Sequence, residues 1–118
     1  PPPPPPPPHC IIHVHNQRVE CFIKALTGQG GFPDLVTEPA AEQRCHLGLW
    51  LRGEGYRRYA NNPMLYEDLL GRHDSLHRLA REAKACHDLG DAQGVLQKIS
   101  DLGRENRSLM ALLQQTLP

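Results

Sequence analysis

Residues 62–90 read NPMLYEDLLGRHDSLHRLAREAKACHDLG, and their pattern sets the organisation of the whole chain. Apolar residues recur here every three or four positions, which is the period of one face of an α-helix. These residues are Leu65, Leu69, Leu76, Ala80 and Ala83. Asn62 followed by Pro63 is typical of a helix N-cap and first turn, and Gly90 is typical of a helix end. The stretch therefore predicts a long helix from Asn62–Pro63 to about Leu89.

Three further segments show the same helical period. Residues 9 to about 27 and residues 92–117 each predict a long helix, and residues 41–51 predict a short one with Trp50 on its buried side. Residues 28–40 contain three glycines and two prolines, which predicts a loop. Because each helix has a single apolar stripe, the helices can bury those stripes only against one another. The expected fold is all-α, a four-helix bundle of three long helices and one short helix.

Composition limits the function classes. The chain has 118 residues, with 13 Lys+Arg against 13 Asp+Glu in mixed order, so it offers no basic stripe for nucleic acid. Its apolar runs are far shorter than the roughly 20 residues that cross a bilayer, so we expect no membrane insertion. Pro1–Pro8 predicts a polyproline II tail or linker. Residues 9–118 are then long enough for one soluble domain.

Cysteine and histidine usage favours a metal site over a disulfide framework. The four cysteines are far apart, and the chain also has seven histidines. This combination indicates a reduced, cytosolic setting in which histidine and cysteine bind a metal. Cys10 and Cys21 are predicted to be exposed, and Cys86 is predicted to be a small buried apolar residue.

His73 and His77 lie four residues apart on the predicted third helix, a spacing that allows both imidazoles to bind one metal ion. By helical periodicity His15 faces the core while His13 faces outward, and Cys45 lies on the short helix that packs nearby. Buried imidazoles that converge with a thiol are hard to satisfy without a cation. Three histidines and one cysteine suit Zn²⁺, in a closed site with no open position for water.

Two motifs together resemble a known family. Residues 45–50, CHLGLW, read Cys-x-Leu-Gly-x-Trp, and His73-Asp-Ser-Leu-His77 follows downstream, with His15 upstream. This combination resembles the CZB family, the chemoreceptor zinc-binding domain of bacterial cytoplasmic chemoreceptors and diguanylate cyclases. The resemblance covers about residues 11–90.

The resemblance implies a four-helix bundle, often a homodimer, that binds zinc through His15, Cys45, His73 and His77. The chain departs from the family pattern at two positions. Arg18 replaces the aromatic residue usual three positions after the first histidine, and His46 replaces a frequent basic residue. His46 is therefore a possible substitute ligand.

Neighbouring residues have supporting roles in this interpretation. Gly48 would allow a close helix approach, and Trp50 would shield the metal from water. Glu67 and Asp74 would accept hydrogen bonds from ligand imidazoles. Asp74 also gives a His-Asp-x-x-His pattern, but its short carboxylate and the fourth protein ligand argue against a zinc peptidase, so we expect no enzyme activity.

The functional expectation is a bacterial, cytoplasmic sensory domain. Zinc occupancy or Cys45 oxidation would control an attached output, and the resemblance points to a chemoreceptor or a diguanylate cyclase that makes cyclic di-guanylate. Zinc, peroxide and hypochlorous acid all remain possible signals. A purely structural, zinc-stapled dimerisation module is the alternative, and a hemerythrin-like di-iron bundle would need more inward histidines and bridging carboxylates than this core has.

Overall fold

The computed structural model describes residues 2–4 and 6–117, which form helices and connecting segments without strands. The helices are α1 (Pro8–Leu26), α2 (Ala41–Arg44), α3 (His46–Arg52), α4 (Glu54–Arg58), α5 (Pro63–Asp88) and α6 (Ala92–Thr116). Pro1 and Pro5 of the predicted tail, and Pro118, lie outside the described residues. Within the described part of the chain, no helix combines the length and the apolar character that a bilayer span requires. The prediction of an all-α fold is confirmed.

Helices α5 and α6 form an antiparallel hairpin that is the largest helix pair of the fold. The Asn62 side chain accepts a hydrogen bond from the Leu65 amide at 3.2 Å and so caps α5. Gly90 adopts a φ of 73°, which suits glycine, and reverses the chain. Asp91 then caps α6 by accepting from the Gly94 amide at 2.9 Å. Both predicted helix boundaries are confirmed.

The core lies where α1 and the short helices meet this hairpin. The largest fully buried side chains come from α3, α5 and α6. They are Leu47, Leu51, Leu69, His73, Leu109 and Leu113. An imidazole is thus packed among leucines at the centre of the fold, where the apolar surroundings favour its neutral form.

Helix α1 begins at Pro8, one residue before the predicted start. Pro7 is extended, with φ −61° and ψ 149°, and proline is well tolerated in the first helical turn because its missing N–H has no intrahelical partner there. The helix ends at Leu26, just before Gly28 with a φ of 89°. The division of the chain into a tail and one folded domain stays a prediction.

The prediction of one short helix over residues 41–51 was wrong, because this region forms two helices, α2 and most of α3, and α4 follows at Glu54. Cys45 separates α2 from α3 with an extended backbone, φ −70° and ψ 163°. Its sulfur accepts from the Gly48 amide at 3.3 Å, so Cys45 is the N-cap of α3. Gly53 then separates α3 from α4. The interruption turns the Cys45 side chain toward α5.

Gly48 on α3 allows α2 to pack directly against α3. A Cβ atom built at Gly48 would overlap the backbone carbonyl of Glu42 and would lie 3.3 Å from Cε1 of His73. The close approach expected at this glycine is confirmed, and its partners are the α2 backbone and a buried imidazole.

Replacing Gly48 by alanine should therefore destabilise the fold. We expect Gly48→Ala to lower the free energy of unfolding by about 1–3 kcal/mol, because a backbone carbonyl must move. Gly71→Ala is the matched control within α5. A Cβ atom at Gly71 meets nothing within 4 Å, so alanine should stabilise the helix by about 0.5–1 kcal/mol. Urea unfolding of both variants in one buffer tests this, and equal effects would contradict the close packing at Gly48.

Candidate metal centre

Three buried side chains bring their donor atoms together between α3 and α5. The Cys45 Sγ lies 3.3 Å from Nε2 of His73 and 3.5 Å from Nε2 of His77. The three donor atoms lie within 4.8 Å of one another. The sequence places the two histidines one helical turn apart on α5, and the break at Cys45 supplies the thiol from the opposite side.

The spacing of these donors fits zinc. Zinc binds cysteine sulfur at about 2.3 Å and histidine nitrogen at about 2.0–2.1 Å, so sulfur and nitrogen ligands of a tetrahedral ion are separated by about 3.5 Å. The two observed separations, 3.3 and 3.5 Å, match that edge. A thiol with two imidazoles is also a borderline-soft donor set, which favours zinc over magnesium or calcium. The cluster can therefore hold a zinc ion as it stands.

The second nitrogen of His77 is fixed by the loop between α1 and α2. Nδ1 of His77 donates to the backbone carbonyl of Val36 at 2.8 Å. The proton is therefore on Nδ1, and the lone pair of Nε2 lies on the side of Cys45. A histidine that binds a metal usually donates its other ring N–H in this way. In contrast, Nδ1 of His73 is buried without a hydrogen-bond partner among residues 2–4 and 6–117.

The same loop is tied to α1 next to the site. Arg18 on α1 donates to the backbone carbonyl of Asp34 and to its carboxylate, the latter at 2.8 Å. Arg18 also lines a cavity of about 50 Å³ together with His15, Cys45 and His77. The residue that departs from the family pattern thus anchors the loop that supports His77.

His15 lies beside the cluster without being one of its three members. Its ring is buried, as predicted, and its centroid is 6.0 Å from that of His73. Its Nε2 is hydrogen-bonded to Oδ1 of Asn106 on α6 at 3.0 Å. The outward-facing position of His13 is confirmed, since that side chain is exposed. The assignment of His15 as a fourth ligand stays a prediction.

A comparison with protein families matches residues 15–84 to the chemoreceptor zinc-binding domain, which is more than half of the chain. The chain belongs to the CZB family. The comparison with curated proteins gave no match, and the comparison with solved structures gave none either. The resemblance inferred from Cys-x-Leu-Gly-x-Trp and His-x-x-x-His is confirmed, and both the CZB match and the Cys-His-His cluster point to zinc.

Several residues near the CZB motifs have other positions than expected. The side chains of Glu67 and Asp74 are exposed, and Val36 takes the place of a carboxylate as the partner of His77. His46 is exposed and does not belong to the three-residue cluster. Trp50 is buried and packs against the backbone at Gly55, where an added Cβ would lie 3.0 Å from its ring. Its shielding of the metal stays a prediction.

The remaining cysteines match the sequence predictions. Cys10 and Cys21 are exposed, and Cys86 is half-buried against the apolar core. Cys45 is the one buried thiol among the four.

The hydrogen-bond partners of His77 and His15 could not be recognised from the sequence. Val36 acts through its backbone carbonyl, which any residue type supplies. Asn106 is 91 positions from His15 along the chain and lies beyond the matched residues 15–84. Only the tertiary fold brings either group to the site.

Burial controls the protonation of the metal-free site. It lowers the pKa of His73 to about 2 and that of His15 to about 4, and it also lowers the pKa of His77. Burial raises the pKa of the Cys45 thiol, an effect that the amides of Gly48 and Leu47 partly oppose. The imidazoles are thus neutral and ready to bind, while the thiol must lose its proton when a metal binds.

Replacing the cysteine should weaken zinc binding specifically. We expect Cys45→Ser to raise the zinc dissociation constant at least tenfold, or about 1.4 kcal/mol, because a serine hydroxyl stays protonated at neutral pH. Cys21→Ser changes an exposed cysteine on α1 and should bind zinc like the wild type. Competition with a chromophoric chelator measures both constants. Equal affinities for the two variants would remove Cys45 from the site.

The metal-free protein should lose stability as the solution becomes acidic. The histidine pKa values are lowered in the folded state, so the unfolded chain takes up protons first as the pH falls below 6.5. Stability is therefore fully present above pH 6.5 and falls by on the order of 1 kcal/mol per pH unit for each such histidine.

Urea unfolding in the presence of a chelator at pH 7, 6 and 5 measures this loss. The variant His15→Leu should show a smaller loss than the wild type over the same range. A wild-type stability that stays constant from pH 7 to pH 5 would contradict the neutral burial of these rings.

Proposed function

We propose that this chain is a sensory domain that binds zinc through His15, Cys45, His73 and His77. Zinc occupancy, or the oxidation state of Cys45, controls a signalling output attached to it. The observation that carries this proposal is the double role of Cys45, whose sulfur contacts both imidazoles of the cluster and also caps α3.

This double role supports a coupling between the site and the fold. When zinc is bound, its positive charge keeps Cys45 as a thiolate, which is a stronger acceptor for the amides that begin α3. Loss of that charge returns the sulfur to a buried thiol with a raised pKa. A change at the sulfur therefore alters the start of α3 and its packing against α5.

The cavity beside Cys45 supports access by a small oxidant. Its volume of about 50 Å³ exceeds the roughly 10–15 Å³ that a cavity needs to hold one water, and Cys45 forms part of its wall. A thiolate that attacks hydrogen peroxide forms an S–O bond as the O–O bond breaks and hydroxide leaves. The sulfur is oxidised by two electrons to sulfenic acid, the peroxide is reduced, and the cluster loses its sulfur ligand.

Membership of the CZB family supports the biological setting. We propose a bacterial cytoplasmic protein in which the output is a chemoreceptor or a diguanylate cyclase, with roles in chemotaxis or cyclic di-guanylate signalling. We also propose a homodimer. The family supports this, because the resemblance to CZB domains implies a bundle that is often a homodimer.

The second candidate function is a structural module in which zinc only staples the helices. The complete burial of His73 favours this candidate, because a deeply buried ligand set exchanges its metal slowly. The two functions differ in whether zinc leaves while the protein remains folded.

A graded oxidant challenge separates the two functions. We expect micromolar peroxide or hypochlorous acid to release zinc from the wild type while its helical circular dichroism largely persists, because only the Cys45 contact is lost. A zinc-responsive dye and the dichroism signal are recorded together. Cys21→Ser should respond like the wild type, whereas Cys45→Ser should release zinc to a chelator without any oxidant.

Release of zinc only together with unfolding would instead establish the structural staple. Retention of zinc after Cys45 has been oxidised, as detected by mass spectrometry, would contradict the role of the sulfur as the labile ligand.

A further inference from the structure

A chain of side-chain amides connects His15 to α6. Nε2 of His15 lies 3.0 Å from Oδ1 of Asn106, and Nδ2 of Asn106 donates to Oδ1 of Asn16 at 3.1 Å. Asn106 thus bridges two neighbouring residues of α1. Both hydrogen bonds join residues that are at least half-buried.

The amide chain determines which nitrogen of His15 carries the proton. Because the NH₂ group of Asn106 donates to Asn16, its carbonyl oxygen faces His15 and can only accept. Nε2 of His15 must therefore be the donor. In a neutral imidazole the lone pair then resides on Nδ1.

In His77, too, one ring nitrogen donates to an oxygen and the other is left as the donor to a metal, but there the protonated nitrogen is Nδ1. Its Nδ1 donates to the carbonyl of Val36 while its Nε2 lies 3.5 Å from Cys45 Sγ. Histidines that bind a metal nearly always donate their other ring N–H in this way, which fixes the ring and makes the free nitrogen a better donor. The hydrogen bond from His15 to Asn106 is of this type, so it would orient the His15 ring for metal binding.

We propose that Asn106 is a positioning residue, which holds the proton of His15 on Nε2 and leaves Nδ1 as the nitrogen that binds zinc. The inference rests on the proposed four-ligand site. It adds a role for α6, which supplies the residue that orients His15. His15 would then bind through Nδ1, whereas His73 and His77, whose Nε2 atoms adjoin Cys45, bind through Nε2.

Nuclear magnetic resonance of the zinc-loaded chain tests this assignment directly. In long-range ¹H–¹⁵N spectra of ¹⁵N-labelled protein, the metal-bound, protonated and free ring nitrogens have different shifts. The expected result is a metal-bound Nδ1 with a protonated Nε2 for His15, and a metal-bound Nε2 for His73 and His77.

The two possible failures of this experiment are distinguishable. A metal-bound Nε2 of His15 would overturn the role of Asn106 and keep the four-ligand site. A His15 with neither nitrogen bound, in a chain that holds zinc, would overturn the four-ligand site itself and the inference with it.

Variants of Asn106 provide a second, independent readout. Asn106→Leu removes the acceptor and should weaken zinc binding by about 10–100-fold, the usual effect of removing such a partner. Asn106→Asp keeps an oxygen acceptor for Nε2–H and should restore affinity to within about threefold of the wild type. Gln114→Leu, at an exposed position on α6, is the matched control and should bind zinc normally.

A merely structural Asn106 predicts another pattern. In that case Asn106→Asp, which loses the donor to Asn16, would bind zinc as weakly as Asn106→Leu. That result, or an unchanged affinity in Asn106→Leu, would overturn the proposal. The spectra of the wild-type chain decide the question even if the leucine variant does not fold.

Discussion

The sulfur of Cys45 lies between the first amides of α3 and two imidazoles of α5, and the surrounding structure depends on this contact. To place the thiol there, the backbone is extended at Cys45, and this break separates α2 from α3. Gly48 must also lack a side chain, because α2 passes directly over it. The local geometry of this segment is thus a consequence of directing one sulfur into the core.

The buried imidazoles impose the next constraint, because a buried ring nitrogen without a partner costs free energy. His77 obtains a backbone carbonyl from the loop after α1, and His15 obtains an amide from α6. These contacts bring the loop, α1 and α6 to a site whose cluster lies between α3 and α5. A zinc ion held by the cluster would join the start of α3 to α5, and the hydrogen bond of His77 would connect it to the loop after α1.

Sequence periodicity predicted α1, α5 and α6 because each has one apolar stripe facing a common core, and the His73–His77 spacing predicted two of the three residues in the cluster. The break at Cys45 was missed, since residues 41–51 lack an internal proline and their only glycine, Gly48, lies inside α3. Val36 and Asn106 were missed because a backbone carbonyl has no sequence signature and a contact across 91 positions is not visible in local patterns. Asp74, which was predicted to accept a hydrogen bond from a ligand imidazole, is instead exposed.

X-ray absorption at the zinc edge tests the central claim most directly, because it counts the atoms bound to the metal without altering the protein. The proposed four-ligand site predicts one zinc per chain with one sulfur at about 2.3 Å and three nitrogens at about 2.0–2.1 Å. A zinc ion bound only by nitrogen and oxygen, or a purified protein with no zinc after growth in zinc-containing medium, would contradict the placement of Cys45 at the metal.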